Sequence, residues 1–215
     1  MIDAVVFDLD GVIVDSEQIW DDVRERLAKE RGGRWHDGAQ AAMMGMSSPE
    51  WSAYMHEEIG LPESPAEIND EVVRRMLDRY AERLPLIDGA VDAVRRLAPE
   101  FRLGVASSSN RPLIESVLEH AGVAGLFDAV VSSEEVAGGK PAPDVYLEAM
   151  RRLGAEPART AAIEDSANGI RAARAAGMRV LALPNPHYPP ADAALALADA
   201  VVSAPSELTP ELVRG

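Results

Sequence analysis

The chain has 215 residues, of which 47% are hydrophobic, so it is long enough and apolar enough to bury a substantial core. Its formal net charge of -15 argues against nucleic acid or an anionic membrane surface as a partner, because phosphate groups attract positive patches. The chain has no cysteine, which excludes disulfides and thiolate chemistry, and no apolar run of the roughly 18 residues that a membrane span needs. We therefore expect a cytoplasmic protein.

The first predicted element is a short buried strand over Ala4-Val5-Val6-Phe7, because three of its four residues are β-branched or aromatic. Asp8-Leu9-Asp10-Gly11 follows it directly. Residues two apart in extended backbone project from the same face, so both carboxylates can serve one reacting centre at the carboxyl end of the strand. The alternative is that the two acids only end a strand and begin a turn.

Residues 16 to about 85 are predicted to be helical throughout. A first helix begins near Ser16, a candidate N-cap, and stops at Gly32-Gly33. A second helix is predicted from Ser48 toward Ile59, and a third from Pro65 through Tyr80. No alternation typical of a strand interrupts this block, which therefore reads as a helical insertion after the first strand.

From Leu86 onward the pattern changes to helices that alternate with strands. The predicted helices are 90–97, 112–120, 142–153 and 167–176, and the predicted strands are 102–106, 128–131, 160–163 and 179–183. An Ala-rich run over 191–204 is expected to give a peripheral helix and a short edge strand at 200–203. Such alternation predicts right-handed βαβ units and a Rossmann-like parallel sheet with helices on both faces. We expect an α/β fold with a catalytic core of residues 1–15 and 86–215 and a helical cap domain of residues 16–85.

Polar residues follow three of the later strands. Ser107-Ser108-Ser109-Asn110 precedes a helix whose N-terminus suits an anion, although such residues also serve as helix caps. Lys140 lies among glycines and prolines and is one of only two lysines, which suggests that a compact ammonium is required there; the alternative is a solvated loop charge. Glu164-Asp165 either caps a helix or offers the hard oxygen ligands that Mg²⁺ prefers.

Taken together, Asp8-Leu9-Asp10-Gly11, Ser107, Lys140-Pro141 and Glu164-Asp165, with a helical insertion after the first motif, resemble the haloacid dehalogenase superfamily. The closest likeness is to its helical-cap branch of phosphatases and β-phosphoglucomutase-like enzymes, and it covers essentially the whole chain. True dehalogenases of this superfamily lack the acid two residues after the nucleophile. Asp10 therefore points to phosphoryl transfer.

The resemblance implies a phosphatase that works through an aspartyl-phosphate. Asp8 would attack phosphorus, and Asp10 would protonate the leaving alkoxide and then deprotonate water. The expected phosphate-binding residues are Ser107, Ser108 and Lys140. The expected Mg²⁺ ligands are Asp8, the backbone carbonyl of Asp10, Glu164 and Asp165. A non-catalytic binding module on this fold is the alternative, and the intact set of acids argues against it.

Substrate contacts are expected from the cap, where the resemblance points to Trp20 and Gly45, although a tryptophan at helical spacing is more often core. The β-phosphoglucomutases carry a histidine where Trp20 aligns, and a lysine and an arginine beside the glycine, where this chain has Met44 and Ser48. A second phosphate would then be poorly held, which favours hydrolysis over the alternative of a sugar phosphomutase. We expect a small phosphorylated metabolite, a sugar phosphate, as the substrate, and a monomer or weak homodimer.

Overall fold

A computed structural model describes residues 1–44, 46–186 and 189–215. Its strands are β1 (Ala4–Phe7), β2 (Arg102–Ser107), β3 (Ala129–Ser132), β4 (Thr160–Glu164), β5 (Arg179–Ala182) and β6 (Ala200–Val201). Over the described residues they form one six-stranded sheet in the order β3-β2-β1-β4-β5-β6, and every neighbouring pair is parallel. The predicted Rossmann-like sheet is confirmed.

The helices also follow the predicted order. They are α1 (Glu17–Glu30), α2 (Ala39–Met43), α3 (Ser48–Glu57), α4 (Pro65–Glu82), α5 (Ala90–Leu97), α6 (Arg111–His120), α7 (Asp144–Leu153), α8 (Ala167–Ala175), α9 (Asp192–Leu195) and α10 (Pro210–Arg214). The short helices α2 and α10 were not predicted. Helix α7 begins two residues later than predicted, because the Ala142 N–H turns back to the Gly139 carbonyl at 2.9 Å and keeps Lys140 in a loop.

Strand β1 lies between β2 and β4, and this position brings together the residues at the ends of three strands. Phe7 is in register with Val105 of β2 and Ile163 of β4. Because the strands are parallel, their carboxyl ends meet at one edge of the sheet. The segments that begin at Asp8, Ser107 and Glu164 are therefore neighbours.

Two apolar clusters lie on opposite faces of the sheet, because successive residues of a strand point to opposite sides. Val5 and Phe7 belong to one cluster with residues of α5 and α6, while Ala4 and Val6 belong to the other with residues of α7 and α8. The first cluster also takes in buried residues of α1, α3 and α4. The apolar interior of the helical insertion is thus continuous with one face of the sheet.

The chain leaves and re-enters the sheet region through two segments that pair with each other. The Asp15 N–H donates to the Pro85 carbonyl at 2.8 Å, and the Ile87 N–H donates to the Ile13 carbonyl at 3.0 Å. This crossing supports our proposal that residues 16–85 form a cap on a core of residues 1–15 and 86–215. None of the described helices is long and apolar enough to cross a membrane.

Candidate active site

Three carboxylates from two adjacent strand ends lie together at the edge of the sheet. Asp8 follows β1, Glu164 ends β4 and Asp165 follows it, and oxygen atoms of all three lie within 4.8 Å of one another. All three residues are buried. A compact set of carboxylate oxygens is the donor set of a hard divalent cation, so these residues fit the metal that the sequence predicts. The carboxylate of Asp10 is not in this group, and the metal role of its backbone carbonyl stays a prediction.

Two glycines give these carboxylates their room. Gly11 has a φ of +77°, which favours glycine, and a Cβ there would lie 1.9 Å from Oδ2 of Asp165. Gly169 lies within α8 and has no left-handed φ, but a Cβ added there would lie 1.8 Å from Oε1 of Glu164. Any larger residue at either position must displace an acid of the cluster.

Lys140 joins Asp8 to Glu164. Its Nζ lies 2.9 Å from Oδ1 of Asp8 and 2.6 Å from Oε1 of Glu164, and its side chain is 3% exposed. The Tyr146 hydroxyl, on α7, donates to the same Glu164 oxygen at 2.6 Å. The predicted role of Lys140 as a compact cation thus has a clear geometric basis, whereas Tyr146 was not identified from the sequence.

Burial and mutual repulsion shift the protonation of this cluster. Burial raises the pKa of Asp8 to about 8, with Lys140 opposing the shift and Glu164 and Asp10 adding to it. Burial likewise raises the pKa of Asp165 well above its ordinary value, and Asp8 and Glu164 add to the shift. Burial alone would lower the pKa of Lys140, but attraction to Asp8 and Glu164 outweighs it and raises that pKa. The lysine is therefore a permanent cation, and a divalent cation would further favour ionised acids.

The carboxylate of Asp10 is held by hydroxyl groups. Its Oδ2 accepts from the Ser109 hydroxyl at 2.7 Å and from the Ser107 hydroxyl at 3.4 Å. Its Oδ1 accepts from the Ser16 hydroxyl and, at 3.5 Å, from Nε1 of Trp20. Ser16 does occupy the N-cap position of α1, but its side chain makes no capping hydrogen bond and is engaged with Asp10. Asp10 is thereby fixed at the boundary between core and cap.

The predicted phosphate-binding serines take different positions. Ser108 lines the cavity above the acids, together with Ser109, which was predicted only as a member of a polar run. Ser107 is fully buried behind them, where its hydroxyl accepts from the Ser109 N–H at 3.0 Å. Phosphate contacts of Ser107, Ser108 and Lys140 stay predictions.

A cavity of about 300 Å³ opens above Asp8 between core and cap. Its lining includes core residues Asp8, Asp10, Ser108, Ser109, Lys140 and Asp165, and cap residues Glu17, Trp20, Arg24, Met43, Met46 and Trp51. Trp20 thus lines this cavity and its contact with a substrate stays a prediction, while Gly45 falls outside the described residues. The cavity is large enough for a small metabolite.

Two charged cap residues at this cavity were not predicted. Glu17 and Arg24 lie on α1 with Trp20, at positions i, i+3 and i+7. This spacing shows from the sequence that the three residues share one face of the helix, but it does not show that this face lines a cavity. Burial raises the pKa of Glu17 to about 7, and the Gln40 side-chain amide donates to its Oε2 at 3.0 Å. The sequence argument that a second phosphate would be poorly held did not take into account the cation Arg24, which lines the cavity.

A parallel sheet whose central strand delivers a carboxylate to a cavity beside the helical insertion defines an α/β fold with a candidate active site at that cavity. The profile of the haloacid dehalogenase-like hydrolases matches residues 2–177. The chain belongs to that family, as its motifs predict.

Named relatives agree on the class of enzyme. Hexitol phosphatase B of Escherichia coli (strain K12) is 34% identical over 212 residues, which are 96% of this chain and 94% of that protein. Fructose-1-phosphate phosphatase YqaB of the same strain is 35% identical over 180 residues, covering 81% and 93%. A bifunctional riboflavin kinase/FMN phosphatase of Arabidopsis thaliana is 32% identical over 184 residues, which are 85% of this chain but 48% of that protein. The expectation of a phosphatase of this superfamily is confirmed.

Solved structures agree on the fold. CbbY from Rhodobacter sphaeroides, in complex with phosphate, has a TM-score of 0.86 and 26% identity, with 100% of each chain covered. β-Phosphoglucomutase from Clostridium difficile has a TM-score of 0.85 and 24% identity, covering 100% of this chain and 96% of that one. The latter likeness concerns the fold alone.

Proposed function

We propose that this protein is a Mg²⁺-dependent phosphatase that hydrolyses a small phosphorylated metabolite, such as a sugar phosphate, through an aspartyl-phosphate. The observation that carries the proposal is the position of Asp8, whose Oδ1 lies 2.9 Å from Nζ of Lys140 on the floor of the cavity. A carboxylate fixed beside a buried cation is a nucleophile that a phosphoryl group can approach without net repulsion.

The reaction takes place in two displacements. In the first, an Asp8 oxygen forms a bond to phosphorus as the bond to the leaving alkoxide breaks, and Asp10 gives its proton to that alkoxide. In the second, Asp10 takes a proton from water as the water oxygen bonds to phosphorus and the Asp8–phosphorus bond breaks. Asp10 lines the cavity and is oriented by Ser16 and Ser109, which suits one acid for both proton transfers.

The cation that Asp8, Glu164 and Asp165 would hold supplies neutralising charge for the phosphoryl oxygens. Lys140 offsets the negative charge of Asp8 and Glu164, since its Nζ contacts both carboxylates. Ser108 lines the cavity two residues before the N-cap of α6, where a hydroxyl and backbone N–H groups suit phosphoryl oxygens.

The sugar phosphomutase is the second candidate, since Arg24 in the cavity supplies a cap cation. In a mutase the phosphoryl group returns to a second hydroxyl of the substrate and no phosphate is released. Phosphate release from a monophosphate without a bisphosphate primer therefore separates the two reactions.

The test is phosphate release from sugar phosphates, nucleoside monophosphates and phosphoglycolate, with Mg²⁺ or with EDTA, by wild type and Asp8→Asn. We expect Mg²⁺-dependent release that falls by at least about a thousandfold in Asp8→Asn, because its amide is not a nucleophile. The variant is isosteric, and it removes a buried acid. Its thermal unfolding midpoint should therefore lie within a few degrees of the wild-type value or above it. Absence of release from every substrate by folded wild type would refute the phosphatase. Unchanged release by Asp8→Asn would refute the nucleophile.

A further inference from the structure

Arg24 of α1 is a buried cation without an anionic partner among the residues that the structure describes. The residue is 5% exposed, and its Nε is buried with no hydrogen-bond partner. Within the described part of the chain, no carboxylate lies within ion-pair distance of its guanidinium. Buried guanidinium groups are normally paired, because an unpaired charge in a protein interior costs several kcal/mol.

Two tryptophans hold the guanidinium in place at the cavity. Its Cζ lies 4.5 Å from the ring centroid of Trp20 and 4.8 Å from that of Trp51. These cation–π contacts stabilise the charge, but they offer no anionic acceptor to its N–H groups. Arg24 also lines the same cavity as Asp8, so one small molecule can contact both.

The acids near Arg24 compensate its charge only in part. Burial lowers the pKa of Arg24 to about 10, with Glu17, Asp10 and Asp21 opposing the shift, so the side chain stays charged at neutral pH. Burial raises the pKa of Glu17 to about 7, so this neighbour is only partly ionised at neutral pH. Asp10 is already engaged by Ser16 and Ser109.

We propose that Arg24 determines substrate specificity by binding a second anionic group, a carboxylate or a phosphate, at the end of the substrate remote from the transferred phosphoryl group. The proposal rests on the proposed phosphatase function and adds the substrate class: small phosphate monoesters that carry a further negative charge. A planar guanidinium binds either anion through two parallel N–H bonds, which a neutral hydroxyl cannot match.

The experiment compares matched substrates within each protein. Phosphoglycolate is paired with 2-hydroxyethyl phosphate to test a carboxylate, and fructose 1,6-bisphosphate is paired with fructose 1-phosphate to test a phosphate. The proteins are wild type, Arg24→Met, Arg24→Lys and, as control, Arg26→Met, whose arginine lies on the same helix with a side chain 64% exposed. The measured quantity is the ratio of kcat/KM for the anionic and neutral members, which is insensitive to the folded fraction of each sample.

We expect wild type to prefer the anionic member of at least one pair by about tenfold or more, mainly through KM. Arg24→Met should abolish that preference, Arg24→Lys should retain part of it, and Arg26→Met should match wild type. The pair that responds identifies the anion. Equal kcat/KM for both members of both pairs in wild type, or a preference that survives in Arg24→Met, overturns the proposal.

A binding measurement separates this inference from the proposed function. If wild type hydrolyses no substrate, the phosphatase fails, and binding of the same pairs to Asp8→Asn by calorimetry still decides the role of Arg24. Tighter binding of an anionic member that disappears in Asp8→Asn/Arg24→Met supports the anion site. Equal binding of all members overturns it.

Discussion

Buried charges are paired at the strand edge of the core, whereas the buried cation on the facing surface of the cap has no ion-pair partner among the described residues. At the strand edge, Lys140 contacts Asp8 and Glu164, and Glu164 also accepts from Tyr146, so the charged groups satisfy one another. In the cap, Arg24 rests against two indoles without an anionic partner among the described residues. A closed network fixes the geometry of a reaction, whereas an open one provides a place for a ligand.

The largest expected difference between the two regions is in stability. Lys140→Met should lower the free energy of unfolding by about 3–5 kcal/mol in metal-free buffer, because it leaves two buried carboxylates uncompensated. Arg24→Met should change it by no more than about 1 kcal/mol, or raise it, because it removes a cation that has no anionic partner in the described part of the chain. Urea unfolding of both variants in EDTA measures the difference. Equal losses would show that Arg24 is as well compensated as Lys140.

Gly169, whose position is crowded by the Glu164 carboxylate, gives a smaller expected loss of stability, which also comes from disturbing the contact between Glu164 and Lys140. Gly169→Ala should destabilise by about 2 kcal/mol, although alanine favours a helix, because its Cβ would displace the Glu164 carboxylate from Lys140 and Tyr146. Mg²⁺ affinity should fall about tenfold, since Glu164 is an expected ligand.

The control for this prediction is Gly125→Ala. An added Cβ there meets nothing within 4 Å, and the residue is exposed, so stability and Mg²⁺ affinity should stay near those of wild type. Calorimetric Mg²⁺ titration and urea unfolding report both quantities. Equal stability and equal Mg²⁺ affinity of the two variants would contradict the claim that position 169 must be glycine to leave room for Glu164.

The smallest expected effect concerns Glu17 in the cap and depends on pH. The unfolded chain ionises this acid at its ordinary pKa, but burial holds its proton in the folded protein until about pH 7. Wild type should therefore lose stability relative to Glu17→Gln between about pH 4.5 and pH 7, with little further change above. A shift of about 2.5 pKa units would correspond to about 3.5 kcal/mol, and because the Glu17 side chain is only partly buried we expect a smaller loss, about 1–2 kcal/mol. A stability difference that is constant from pH 4 to pH 8 would contradict this account.

The sequence by itself determined the alternation of helices and strands and the position of the acids directly after β1 and at the end of β4. The period of apolar residues reports a strand or a helix locally, and the regular alternation of the two predicts a parallel sheet, whose strands bring their carboxyl-terminal residues to one edge. Even the length of the helical insertion can be read from such patterns, although the short helix α2 has too few residues to show a clear period.

Only the tertiary structure decided which side chains complete the site. Tyr146 reaches Glu164 across 18 residues of sequence, and Trp51 of α3 meets Arg24 of α1 across 27 positions. The Ser16 hydroxyl turns from the N-terminus of its own helix to Asp10. Helical periodicity shows which residues share a face, but the partner of that face is set by how the helices pack, which is a non-local property of the folded chain.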